Sequence, residues 1–216
     1  MPILANFECL LLFIVSGIGI VRYQKLNYPF KILAWSVIIL FILAILSRIF
    51  NFIYKTNAPI LQIESIAQFI FYAAIYYYLF KNKKIKKTII ILIIIISVFF
   101  LINALFLQPF NKAFPTNVYI PTQILFAVFS LLLFKEMLMY PLKVNIIRQS
   151  IFWYNTAIFF YATTMFFNLG LSNYLAEHND NDFFIFYFLY FIIYFFNILI
   201  CISLLTENKK NALADA

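Results

Sequence analysis

Residues 32–53 read ILAWSVIILFILAILSRIFNFI, an apolar run whose one charged residue is Arg48. A helix of roughly 20 mostly apolar residues crosses the hydrocarbon core of a bilayer. Inside that core the backbone must bond within its own segment, so an apolar run of this length is read as a spanning helix. Six further windows meet the same requirement, at about 3–22, 61–80, 88–107, 121–140, 150–170 and 183–205. The breaks between them are short and polar, for example YKTNAP at 54–59 and KNKKIKK at 81–87. Pro29, Pro59, Pro109, Pro115, Pro121 and Pro141 all fall in or beside breaks, where the missing N–H does least harm. No proline kink is expected within a span.

Composition agrees. The chain is 65% hydrophobic and 11% charged, against about half and about a quarter in soluble domains. It could not cover its own surface with polar groups in water. Aromatic residues make up 21%, but Ile, Phe, Tyr, Asn and Lys are together favoured by AT-rich coding, so a tyrosine taken alone is weak evidence of function. The N-terminal MPILANFECLLLFIV has no basic residue before its apolar run and reads as a mature helix, not a signal peptide.

Basic residues set orientation, because cytoplasmic loops are enriched in Lys and Arg. With the N terminus outside, the inner face receives Arg22, Lys25, Lys31, Lys81, Lys83, Lys84, Lys86, Lys87, Lys135, Lys143, Arg148, Lys209 and Lys210, leaving Arg48, Lys55 and Lys112 outside. The expected fold is therefore all-α: a polytopic seven-transmembrane-helix bundle over residues 1–216, amino terminus outside and carboxyl terminus cytoplasmic, multi-pass in the cytoplasmic membrane. The net charge of +8 belongs to the inner rim, where it meets anionic headgroups of the lipid bilayer. One turn of lysines between two spans offers nucleic acid no groove-sized surface, so no nucleic-acid partner is expected.

Ionisable groups within spans point most strongly to function. Glu8, Arg48 and Glu64 all fall in the outer third of their helices; Lys135 and Glu136 lie at an inner end. Arg48 has two readings: its guanidinium snorkels to outer phosphates, or it pairs with Glu64 across the short turn joining helices 2 and 3, with Glu8 the less favoured partner. Helix 3 carries Glu64, Gln68, Tyr72 and Tyr76 four residues apart, along one slowly drifting stripe. Helix 7 carries Tyr187, Tyr190, Tyr194, Asn197 and Cys201 at alternating spacings of three and four, a single face in heptad-like register. Helix 6 adds Tyr161, Thr164 and Asn168. Such groups ordinarily hold helices together, at roughly 0.6–2 kcal/mol each. The functional alternative is an outward-open polar cavity walled by helices 2, 3, 6 and 7. Its ligand-binding candidates are Arg48, Glu64, Gln68, Tyr72, Tyr161, Asn168, Tyr187, Tyr190, Tyr194 and Asn197, with the acidic loop carrying Glu177, His178, Asp180 and Asp182 at the mouth. In helix 1, Ser16 and Gly19 mark a close-packing face.

Several chemistries are excluded. No span contains Asp, so intramembrane aspartyl proteolysis lacks its pair. One histidine, His178, cannot build a zinc site or serve as base within a span. With Gly17, Gly19 and Gly170 the only glycines, there is no phosphate-cradling loop. Helix 7 has no lysine for a retinal Schiff base. Cys9 and Cys201 sit near opposite faces and cannot pair in one chain. The expectation is a non-enzymatic protein with no cofactor and no metal.

The stretch SIFWYNTAIFFYATTMFFN, Ser150–Asn168, resembles small seven-helix bacterial membrane proteins of uncharacterised function, through Phe152–Trp153 at the start of helix 6 and Phe160–Tyr161 further on. The layout, with a short basic loop after helix 3, is similar to the membrane sensor half of some bacterial histidine kinases. The sequence departs from those kinases in having no kinase or output segment, and it carries Gln68 before Phe69 where an acidic residue is looked for. The resemblance implies a receptor-like sensor subunit that signals to a separate cytoplasmic protein. The alternatives are a small-molecule or ion transporter and an accessory membrane protein of a defence or stress locus.

Overall fold

A computed structural model describes residues 2–108, 110, 115–141, 145–178 and 183–208, with only the backbone for residues 2, 3, 5, 171–178, 183 and 184. The described chain is all-helical. The long helices are α1 (Pro2–Arg22), α2 (Tyr28–Tyr54), α3 (Ala58–Leu79), α4 (Lys83–Ile102), α5 (Thr116–Met139), α6 (Ser150–His178) and α7 (Phe183–Thr206). Six of the seven are long and apolar enough to cross a membrane. The exception, α6, is long enough but diluted by Asn155, Thr156, Thr163, Thr164 and Asn168.

Helix ends follow local chemistry. α2 and α3 each start after an asparagine, Asn27 and Asn57, with Pro29 and Pro59 in the first turn, where a lost N–H costs little. Asn82 accepts the Lys84 N–H at 2.8 Å to cap α4. α2 stops where Lys55 turns left-handed (φ 57°), its N–H bonded to Asn51 O.

Two of the boundaries that differ from the apolar windows change a reading. α5 begins at Thr116, so Pro121 lies inside the helix and not in a break. It removes the bond that would reach the carbonyl of Asn117. The first turn forms because side chains support it: Gln108 Nε2 donates to Thr116 Oγ1 (2.8 Å) and Asn117 Nδ2 to Asn103 Oδ1 (3.1 Å). Asn103 is fully buried and opens the π-helical turn Asn103–Leu107 that ends α4. Hydropathy windows do not weigh such polar ties. α6 continues through LSNYLAEH to His178, a stretch without proline that apolarity alone reads as loop. Glu177 and His178 thus belong to a helix end, while Asp180 and Asp182 lie outside the described residues.

Six helices close a ring in the order α1, α2, α3, α5, α6, α7, with α7 returning to α1. α4 stands outside, against α3 and marginally α5. Its buried side chains are Ile89 and Ile96, whereas Ile90, Ile91, Ile94, Ile95, Val98 and Leu101 face outward, as suits lipid. Inside the ring the largest enclosed side chains include Tyr72, Tyr76, Tyr154, Phe30, Phe69 and Phe126. α1 and α2 approach closely at Gly19, where a Cβ would meet the Ala34 Cβ at 3.1 Å. That is the packing role expected of Gly19.

The helices alternate in direction, so the bundle has two chemically distinct ends. One gathers Arg22, Lys25, Lys31, the lysines of 81–87, Lys135 and Arg148. It is tied across by the Lys81 N–H, which donates to Glu136 Oε1 at 2.8 Å. The other end, at the α2–α3 turn, carries Lys55.

Candidate functional site

At the lysine-poor end the ring encloses a cavity of about 660 Å³. Every helix except α4 contributes. α1 supplies Glu8; α2 supplies Ser47, Arg48 and Asn51; α3 supplies Glu64, Ser65 and Gln68, after Asn57 in the turn; α5 supplies Tyr119; α6 supplies Tyr161, Met165 and Asn168; α7 supplies Ile185, Phe186, Leu189 and Tyr190. The polar residues share a cavity because the stripe of α3 and the middle of α6 face the ring axis. Spacing by four drifts slowly enough to keep Glu64 and Gln68 on that face.

The charges are not arranged as the sequence suggested. Arg48 makes no ion pair with Glu64; its Nη1 donates to Asn6 Oδ1 at 3.0 Å, on the groove between α1 and α2. Arg48 also acts electrostatically on Glu8, and Glu8 acts on Glu64. The correction has a geometric cause. Adjacency across the α2–α3 turn brings both residues to one cavity, but α1 packs along α2 too, and Asn6 lies nearer the guanidinium. A double-mutant cycle on Arg48→Glu and Glu64→Arg should accordingly show no rescue, the combined loss of thermal stability equalling the sum of the single losses. The cycle on Arg48→Gln and Asn6→Ala should show a coupling of about 0.5–1 kcal/mol.

The cavity is closed toward the basic end. Tyr119 and Tyr161 share a hydroxyl–hydroxyl bond at 2.6 Å, and Gln68 faces the hydroxyls of Tyr72 and Tyr161. Beneath them the Tyr72 ring packs against Phe126, Tyr154 and Phe196 at centroid separations of 5.8, 6.5 and 6.1 Å. One layer further down, Tyr76 Oη donates to Asn155 Oδ1 (2.9 Å), Ser130 Oγ to the same oxygen (2.8 Å), and Asn155 Nδ2 to Ser130 O (2.9 Å). All three residues are fully buried, so this bond set locks α3, α5 and α6 at mid-depth.

Of the ten candidate residues, Arg48, Glu64, Gln68, Tyr161, Asn168 and Tyr190 line the cavity. Tyr72 lies below it as part of the floor. The stripe of α7 divides. Tyr187 points to the exterior, 54% exposed. Tyr194 donates to Leu4 O at 2.7 Å on α1 and meets the Phe7 ring edge-on. Asn197 donates to Ile193 O within its own helix. These three are therefore not cavity residues. α7 sits between α6 and α1, so a face read as one stripe meets two neighbours and the outside. Helix 1 and helix 5 join the walls, which the sequence reading confined to helices 2, 3, 6 and 7. Tyr119 was missed because it precedes the apolar window of α5.

A second polar cluster sits at the basic end, just beyond α7. Glu207 is 5% exposed. Its carboxylate accepts from Ser150 Oγ, its backbone O accepts from Arg22 Nη2 (2.8 Å), and Ser203 Oγ donates to Ser150 O (3.0 Å). Burial pushes the Glu207 carboxyl above the usual carboxylate range, while the Ser150 hydroxyl, the Asn27 N–H and the Arg22 guanidinium pull it back. The cluster joins the ends of α1, α6 and α7. In sequence Glu207 lies in a short polar tail with no signal of burial.

No family model matches the chain, and no match is found among curated proteins or solved structures.

Proposed function

We propose that this chain is a non-enzymatic, receptor-like sensor subunit of the cytoplasmic membrane. It takes a small ligand from the outer side and signals to a separate cytoplasmic protein through its basic end. The observation that supports this best is the cavity of about 660 Å³, walled by six helices at the lysine-poor end and floored by Tyr72, Phe126, Tyr154 and Phe196. A site of this volume with apolar walls and a few convergent polar groups suits a small organic ligand. The aromatic floor argues for reception over passage, since a carrier needs a route past its site. The positive-inside rule puts the lysines in the cytoplasm, so the cavity opens outward. The Glu207 cluster ties together the inner ends of α1, α6 and α7, three helices that also wall the cavity.

Thiol labelling tests orientation and cavity together. In a chain with Cys9→Ser and Cys201→Ser, a membrane-impermeant maleimide added to intact cells should label Gln68→Cys. It should label Lys84→Cys only after permeabilisation. Labelling of Lys84→Cys in intact cells overturns the orientation. Protection of Gln68→Cys before and after permeabilisation overturns the open cavity. A cytoplasmic partner should cross-link to Lys84→Cys carrying a photoactivatable thiol label; failure to recover any repeated partner removes the signalling role.

A further inference from the structure

We infer that the cavity is a cation site, taking a small amphipathic amine or quaternary ammonium with Glu64 as its counter-charge. This rests on the reading of the cavity as a ligand site and adds the chemical class of the ligand.

The charge balance carries the inference. Three carboxyl or guanidinium side chains line the cavity: Glu8, Arg48 and Glu64. Arg48 is occupied by Asn6 on the α1–α2 groove, and its field falls on Glu8. That leaves Glu64, which has no hydrogen-bond or ion-pair partner among the described residues. It is half-buried and lines the cavity. A carboxylate isolated in a low-dielectric site is costly until a cation or donor meets it. An anionic ligand would face two carboxyl groups against one guanidinium that already bonds Asn6. A neutral ligand would leave Glu64 uncompensated. A cation removes that cost.

The walls suit the same class. The rings of Tyr161, Tyr190 and Phe186 line the same cavity, and aromatic rings attract ammonium groups at separations up to about 6 Å. Leu61, Met165 and Leu169 offer an apolar surface for a hydrocarbon body. Gln68 and Asn168 can orient a hydroxyl or carbonyl on that body, and neither adds charge.

The test uses the intact chain in nanodiscs at neutral pH with four probes of similar shape: 2-phenylethylamine, benzyltrimethylammonium, 2-phenylethanol and 3-phenylpropionate. Saturation-transfer NMR measures binding, with empty nanodiscs subtracting partition into lipid. Both cations should bind about ten-fold or more tightly than the alcohol, the ratio expected of one charge-assisted contact. Glu64→Gln should bring the cations down to the level of the alcohol and leave the alcohol unchanged. Alcohol or carboxylate binding as tightly as the cations overturns the cation assignment and leaves the ligand-site reading standing. Cation binding that survives Glu64→Gln at full strength also overturns it. No binding by any probe overturns both. Where Glu64→Gln does not fold, the four-probe comparison in the unaltered chain decides.

Discussion

Asn155→Ala should destabilise the bundle by about 2–3 kcal/mol, the largest loss expected from any single truncation in the polar layer. Asn155 is the shared partner of Tyr76 and Ser130, at 2.9 and 2.8 Å, and all three are fully buried. Removing the amide strands the Tyr76 hydroxyl in a dry interior and leaves a gap between α5 and α6. The contribution of one hydrogen bond between membrane helices averages only about 0.6 kcal/mol, because the denatured chain in lipid or detergent also finds partners. The cost here is larger because several bonds converge on one amide. Tyr76→Phe removes the stranded group, so it should cost about 1 kcal/mol alone and recover part of the loss when combined with Asn155→Ala. Unfolding in mixed micelles, followed by tyrosine fluorescence and circular dichroism, measures all three. A loss under about 0.5 kcal/mol for Asn155→Ala would show that the layer is not cooperative.

Glu207→Ala should cost about 2 kcal/mol, since the buried Ser150 hydroxyl loses its acceptor and the joint between α1, α6 and α7 loosens. Glu207→Gln keeps an acceptor and should be far milder at neutral pH. The pH dependence separates the two roles of the carboxyl. Burial raises its folded value above the ordinary carboxylate value of 4.5, so the folded state holds the proton more tightly than the unfolded state. The linked stability is fully present below about pH 4.5 and is lost as pH rises through the raised folded value. Thermal melts of the unaltered chain in detergent should therefore fall on going from acid toward neutral pH, by a component that is absent in Glu207→Gln. An identical slope in both proteins would place the titrating group elsewhere.

How much of this was legible in sequence varies by residue. Runs such as 32–53 and 183–205 announce spanning helices because hydrocarbon punishes unpaired backbone, and length with apolarity is all that criterion needs. The clustering of Lys and Arg at one end of the bundle is legible for the same reason, being a count along the chain. The α3 stripe of Glu64, Gln68, Tyr72 and Tyr76 was legible as a direction, since spacing by four holds one helix face. Where that face would end was not. Gln68 reaches the cavity and Tyr72 becomes its floor, a distinction set by Phe126 and Phe196 arriving from other helices.

Partner choice was the least legible feature. Arg48 and Glu64 lie on neighbouring helices with a short turn between them, yet Arg48 bonds to Asn6, which is 42 residues away in the chain. Glu207 sits in an apparently solvated tail but packs against Ser150, 57 residues away. The start of α5 depends on Asn103 and Gln108 bonding to Asn117 and Thr116, so Tyr119 entered the cavity wall from a stretch read as loop. By itself the sequence determined that the chain is helical, with helices long and apolar enough to cross a membrane, and which faces of α3 and α6 are polar. These follow from one-dimensional periodicity and the chemistry of lipid. The ring order, the position of α4 outside it, the enclosure of the cavity and the partners of Arg48 and Glu207 were decided only by tertiary structure. Each depends on which helices meet side by side, and lipid is equally satisfied by many pairings of apolar helices.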